Sequence, residues 1–180
     1  MACRFRYDSN MTAQPVWHIA QINVGRLTAP QGDPRTADFF AALDGINALA
    51  DARPGFVWRL QDESGNATGI RPTSDPLFAV NMSVWENADA LFEFVYRSAH
   101  TPVMARRQEF FQPFEGRYQT LWWIAAGHRP TIDEGLARLW RLEHYGPTCD
   151  AFTFKSRFPP TDQPGAPVDM KPDPWCVGRA

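Results

Sequence analysis

Lysine is nearly missing from this chain: only Lys155 and Lys171 occur, against 16 arginines. The basic residues are scattered and matched by acids, and the net charge is −2. A phosphate-tracking surface needs clustered positive charge, so nucleic-acid binding is not indicated. The one tight basic pair, Arg106-Arg107, is followed by Glu109 and reads as a solvated helix face. No run approaches the ~20 apolar residues of a membrane-spanning helix. Cysteine is scarce as well. Cys3, Cys149 and Cys176 are odd in number and widely separated, without metal-ligand spacing or the density of a secreted disulfide scaffold. The opening MACRFRYDSN holds no apolar stretch of a secretory signal, so a reducing cytoplasm is expected. H-E-x-x-H, P-loop, G-x-G-x-x-G and nucleophile-elbow patterns are all missing, which lowers the weight of hydrolases, nucleotide-triphosphate users and dinucleotide enzymes.

What is present is a globular composition, 44% hydrophobic and 21% charged. A chain of 180 residues suits one domain, which on folding buries roughly 70% of its surface. Residues 1–14 are polar and unpatterned and read as a flexible arm, and residues 159–180 hold six of the 16 prolines and read as an extended tail. The domain therefore spans about 15–158. Residues 16–24 alternate as a strand. Asp33-Pro34 is a cap followed by proline at a first helical position, and Phe39, Leu43, Ile46 and Ala50 mark the apolar face of the helix it opens. Strands are expected at 56–61, 77–85 and 118–126. Helices are expected from Asn87 to about 97–101, again over 103–111 after Thr101-Pro102, and over 132–145.

The order β-α-β-β-α-β-α is the split βαβ, or ferredoxin-like, arrangement: an α+β fold with a four-stranded antiparallel sheet and helices on one face. The other face is expected to lack cover, and to carry Trp17, Ile19, Trp122 and Ile124 beside Gln21, Asn23, Asn81 and Ser83. Pairing with a second copy would bury it, giving a homodimeric barrel in which the polar residues line a cavity between two sheets. On that basis Gln21, Asn23, Ser83 and Trp122 are candidate pocket residues for a small molecule, and Asn81 a candidate to orient a substrate oxygen. They could equally satisfy one another across an interface.

The passages VNMSVWENADALFEFVYRSAHTPVM and LWWIAAGHRPT, with VWHIAQINVGRL and DPRTADFFAALDGINALADARPGFVWRLQD before them, resemble an uncharacterised bacterial domain family of the dimeric α+β-barrel superfamily. The likeness covers about residues 16–155, with RSAHTPVM its most distinctive part. That superfamily includes cofactor-free antibiotic-biosynthesis monooxygenases, haem-degrading oxygenases and small-molecule binding proteins. The R-S-A-H stretch is also similar, more remotely, to haem-dependent spheroidene monooxygenases. The resemblance implies a monooxygenase-like enzyme acting on an apolar or aromatic molecule. Haem could then be held by His100 as axial ligand, with Arg97 on a propionate. A cofactor-free variant would use His100 or Asn81 to stabilise a substrate oxyanion. Against this, His100 could simply satisfy backbone groups freed by the break at Pro102, and Arg97 could pair with Glu93 one turn earlier. A non-catalytic haem or small-molecule carrier and a purely dimerising protein remain as alternatives. His18, on the opposite strand face from Gln21, and His128, His144 and Cys149 carry no expected role.

Overall fold

A computed structural model describes residues 16–97 and 105–160 of the chain. Four strands, β1 (Trp17–Arg26), β2 (Phe56–Arg59), β3 (Phe78–Trp85) and β4 (Gln119–Ala125), form one antiparallel sheet in the order β2-β3-β1-β4. Helix α1 (Ala37–Asp51) connects β1 to β2, and α2 (Ala88–Arg97) with the short α3 (Arg107–Phe110) lies between β3 and β4. Helix α4 (Ile132–Tyr145) follows the last strand. Two interlocked βαβ units around central β1 and β3 make this the ferredoxin-like α+β fold that the element order implies. No helix among the described residues is long and apolar enough to cross a membrane.

The boundaries follow local chemistry. Asp33 Oδ1 accepts from Arg35 N at 2.9 Å and caps a 3-10 turn, Pro34–Thr36, which feeds α1. Asn87 Oδ1 accepts from Ala90 N at 2.8 Å at the start of α2, and Thr131 Oγ1 from Glu134 N at 3.1 Å at the start of α4. Helix α4 ends at Gly146, whose φ of 72° is open to glycine at little cost. Strand β1 runs to Arg26, two residues past the expected end, because Val24–Arg26 still pair with β3. Strand β2 stops at Arg59, after an irregularity between Phe56 and Trp58. The expected helix break at Thr101-Pro102 lies outside the described residues, as do the arm 1–14 and all but the first two residues of the tail 159–180.

Register decides which side chains share a face. Gln21 lies opposite Ser83 and Leu121, Asn23 opposite Asn81 and Gln119, and Ile19 opposite Trp85 and Trp123. Directly paired residues point the same way, so odd-numbered positions of β1, β3 and β4 form one face and even-numbered positions the other. The two crossover helices cover the odd face, where Ala50 of α1 and Leu91 and Phe94 of α2 pack with Ile19, Trp85 and Leu121. This corrects the expectation of an uncovered polar face. It also moves Trp122 and Ile124, which sit on the even face with Ala20, Ile22, Met82 and Val84.

The even face is covered by the chain itself. A Cβ on Gly135 of α4 would stand 2.7 Å from Ile22 Cδ1 and 3.3 Å from Met82 Sδ, so α4 lies almost on the strands. Leu139 completes that core, with Trp58, Leu60, Ile70, Phe114 and Leu136 around it. Each large side chain so buried contributes roughly 1.5–3 kcal/mol. After α4 the chain returns along the outer edge of β4, where Leu121 and Phe152 exchange two backbone hydrogen bonds of 2.8 Å. Buried Asp150 holds this return against α4 through Arg141 at 2.9 Å and Arg138 at 3.6 Å. The strand edge is thereby closed to further pairing. With both faces covered, the apolar patch offered as the reason for a second copy does not exist in the described residues.

Candidate functional site

Between the odd face and its helices the packing opens into a cavity of about 650 Å³. This is within the ordinary range for small-molecule sites, ~300–1,000 Å³. Gln21, Asn23, Asn81 and Ser83 form its floor; Phe39, Phe40 and Leu43 of α1 and Phe94 of α2 stand across from them. Phe110, Phe111 and Tyr118 close one end. The four polar residues expected to share a pocket therefore do so, but within a single chain and beneath its own helices.

The floor is a connected set of amides and one hydroxyl. Gln21, only 4% exposed, donates from Nε2 to Asn81 Oδ1 at 3.2 Å and to Ser83 Oγ at 3.1 Å. Its own Oε1 accepts from Asn23 Nδ2 at 3.4 Å. Ser83 Oγ also accepts from Trp85 Nε1 at 2.9 Å. Gln21 thus has both N–H groups and its carbonyl engaged, as a buried amide must. Asn81 Nδ2 and Asn23 Oδ1 have no hydrogen-bond partner among the described residues and remain for a bound molecule. The network links the four floor residues and leaves one donor, on the exposed Asn81, and one acceptor, on Asn23.

Trp122 is not part of the cavity. Its ring is fully buried on the even face, and its Nε1 donates to Glu134 Oε1 of α4 at 2.9 Å. Arg97 is exposed and pairs with Glu93 Oε1 at 2.8 Å, the plain alternative weighed for it, and it does not line the cavity. His100 lies outside the described residues. His18 is on the even face, His128 pairs with Glu134 Oε2 at 2.8 Å, and His144 stacks on Trp140 with 4.1 Å between ring centroids. None of the three lines the cavity.

Residues that sequence reasoning missed are Gln119, Arg59, Arg71 and Arg107, all in the cavity wall. Strand alternation already placed Gln119 with Leu121 and Trp123, so the odd face of β4 could have supplied it. Arg107 carried no such signal, and the reading of Arg106-Arg107 as one solvated face is corrected. Arg106 does point outward, to Glu109 at 2.8 Å and Asp38 at 3.0 Å. Arg107 turns inward, with its guanidinium 4.9 Å from the Phe111 ring centroid and 4.6 Å from that of Tyr118. Burial pushes its pKa below the usual arginine value.

None of the described cavity residues is histidine, cysteine or methionine, and Tyr96 and Tyr118 are the only ones among them of an axial-ligand type. Burial, with a smaller contribution from Tyr118, raises the Tyr96 pKa and so disfavours the phenolate that iron would require. No group of three or more histidines, cysteines and carboxylates among the described residues is arranged to hold a metal ion.

Sheet order, crossover helices and a pocket beneath them define a ferredoxin-like α+β domain with a cavity between its sheet and those helices. The chain belongs to the family described as a domain of unknown function, DUF3291, which it matches over residues 18–167. No curated protein matches it. Among solved structures it is similar to a protein of unknown function from Nitrosomonas europaea, at 12% identity and a TM-score of 0.39 over 66% of this chain and 97% of that one. It is likewise similar to SnoaB, a cofactor-independent oxygenase from Streptomyces nogalater, at 16% identity and a TM-score of 0.36 over 64% and 96%.

Proposed function

We propose that this domain binds an apolar or aromatic small molecule in the cavity between its odd sheet face and α1–α2, and oxygenates it in a monooxygenase-like reaction that draws electrons from the substrate. The observation that supports this reading is the pairing of an aromatic-walled void with a fixed amide floor whose Asn81 Nδ2 is left to donate. Donors held in place inside an apolar site stabilise negative charge far better than the same groups in water. A substrate that ionises to an enolate or phenolate is therefore met at its oxygen by Asn81, with Asn23 and Gln21 keeping that amide aimed. The carbanion form of the substrate then reduces oxygen. For a CH2 group the balance is CH2 plus O2 giving C=O plus H2O: the carbon loses four electrons, oxygen gains four, and no further reductant enters.

A second reading, a non-catalytic carrier of the same kind of molecule, is favoured by one feature. No carboxylate or imidazole among the described residues lines the cavity to take the substrate's proton. Oxygen uptake separates the two. With a phenolic polycycle bearing an acidic benzylic CH2, the enzyme reading requires uptake above autoxidation that Asn81→Ala reduces about tenfold or more. Saturable binding with uptake no faster than autoxidation contradicts it and leaves the carrier.

A further inference from the structure

The charge lining the cavity is of one sign. Arg59, Arg71 and Arg107 face it, and among the described residues no aspartate or glutamate does, in a chain whose net charge is −2. The three arginines differ in what they have left to give. Arg59 is neutralised by Asp51, with hydrogen bonds of 2.8 and 3.1 Å. Arg71 is exposed and sets its Nη1 on the carbonyls of Thr68 and Ile70 in its own loop. Arg107 meets only one acceptor, Val24 O at 3.2 Å, and no carboxylate among the described residues. Its neighbour Arg106 takes Glu109 and Asp38, so acids are within reach of α3 and none is spent on Arg107.

The surroundings of Arg107 are shaped around it. A Cβ on Gly25 would stand 2.7 Å from Phe111 Cδ1 and 3.2 Å from Arg107 Nη2, so any larger residue there collides with both. The guanidinium carbon lies over the rings of Phe111 and Tyr118, contacts that accept none of its N–H hydrogen bonds. A half-buried guanidinium with one neutral acceptor is an incomplete set of hydrogen bonds.

Resting on the cavity reading above, we infer that Arg107 makes the site selective for an anion: its ligand carries a carboxylate, or a phenol ionised at neutral pH, on a flat apolar body. The guanidinium edge receives the anionic oxygen while the rings of the wall receive the body. A carboxylate suits that edge in particular, because two parallel N–H bonds can form. Arg107 is a binding residue here, and Asn81 addresses a different oxygen of the same molecule.

Calorimetric titration with 2-naphthoate and 2-naphthamide tests this, since the two differ in charge and hardly in shape. The wild-type protein should bind the acid about tenfold or more tightly than the amide, the size of a hydrogen bond to a charged group. Arg107→Gln should erase the preference, lowering affinity for the acid about tenfold or more relative to that for the amide. Arg107→Lys should restore part of it, and the wild-type ratio stands as a test even if the glutamine variant fails to fold. A second pair, 4-nitrophenolate and 4-nitroanisole, shows whether the anion must be a carboxylate. Equal affinity for acid and amide in the wild-type protein, or a preference that survives Arg107→Gln, overturns the assignment and leaves the cavity reading standing. If none of these molecules binds, both fall.

Discussion

On the even face of the sheet, Ala20, Ile22 and Val24 lie directly under α4; on the odd face of the same strand, Gln21 and Asn23 look across a void to α1 and α2. The helix contacts differ in one residue type. Gly135 brings the α4 backbone onto Ile22 and Met82, whereas α1 presents Phe39, Phe40 and Leu43 to the void, and side chains of that size hold its backbone off the strands. A glycine at a contact closes a gap, and bulky residues over a polar floor keep one open. The even face is thus packed against its helix, and the odd face leaves a void beneath its helices.

Substitutions at matched depth should separate the two. Leu139→Ala removes a fully buried side chain from the even core and should cost about 2–5 kcal/mol in chemical denaturation, with ligand affinity unchanged in the fraction that stays folded. Ser83→Ala on the odd face takes away the acceptor shared by Trp85 and Gln21, and should cost about 1–3 kcal/mol while also weakening binding. Asn81→Ala removes the acceptor of one Gln21 N–H and should cost about 0.5–1.5 kcal/mol, well short of Leu139→Ala, while acting chiefly on ligand affinity and turnover. If Asn81→Ala unfolds the protein as readily as Leu139→Ala does, the division between the faces is wrong.

The smallest effect lies outside both faces. Hydrogen bonds from the side chain and backbone of Arg35 hold the Asp33 carboxyl down at about 2, from an ordinary 3.8. A depressed carboxylate stabilises the fold above its unfolded value, and that contribution is lost as pH falls from 3.8 towards 2. Asp33→Ala should therefore lower the neutral plateau of a melting-temperature profile slightly and flatten its acid limb in that window, so that the variant and wild-type profiles converge near pH 2.

Much of this comparison was legible in the sequence, and the rest shows what sequence pattern leaves open. Alternation located every described strand, apolar spacing located α4, and caps located the starts of α1 and α2, because Asp33-Pro34 and Asn87 act on backbone groups within a few residues. Alternation also grouped Gln21 and Asn23 on one face and Asn81 and Ser83 on one face. It could not say which face of β4 joins them, since a one-residue change of register exchanges Leu121 for Trp122. Trp122 was misplaced for that reason. Nor could it say that α4 returns across the even face, a contact set by tertiary packing around Gly135. Arg107 was hidden for a third reason: two adjacent arginines on a short helix look alike until the strand beneath them, bare at Gly25, admits one of them.

The most direct test uses two buried indoles as reporters. Trp85 Nε1 is bonded to the cavity floor at Ser83, and Trp122 Nε1 to Glu134 on the opposite face. In an NMR titration with 2-naphthoate, the Trp85 indole N–H resonance should shift saturably to a one-to-one endpoint, while that of Trp122 stays in place. A shift confined to Trp122, or a saturated complex in which the Trp85 resonance does not move, would contradict the placement of the site.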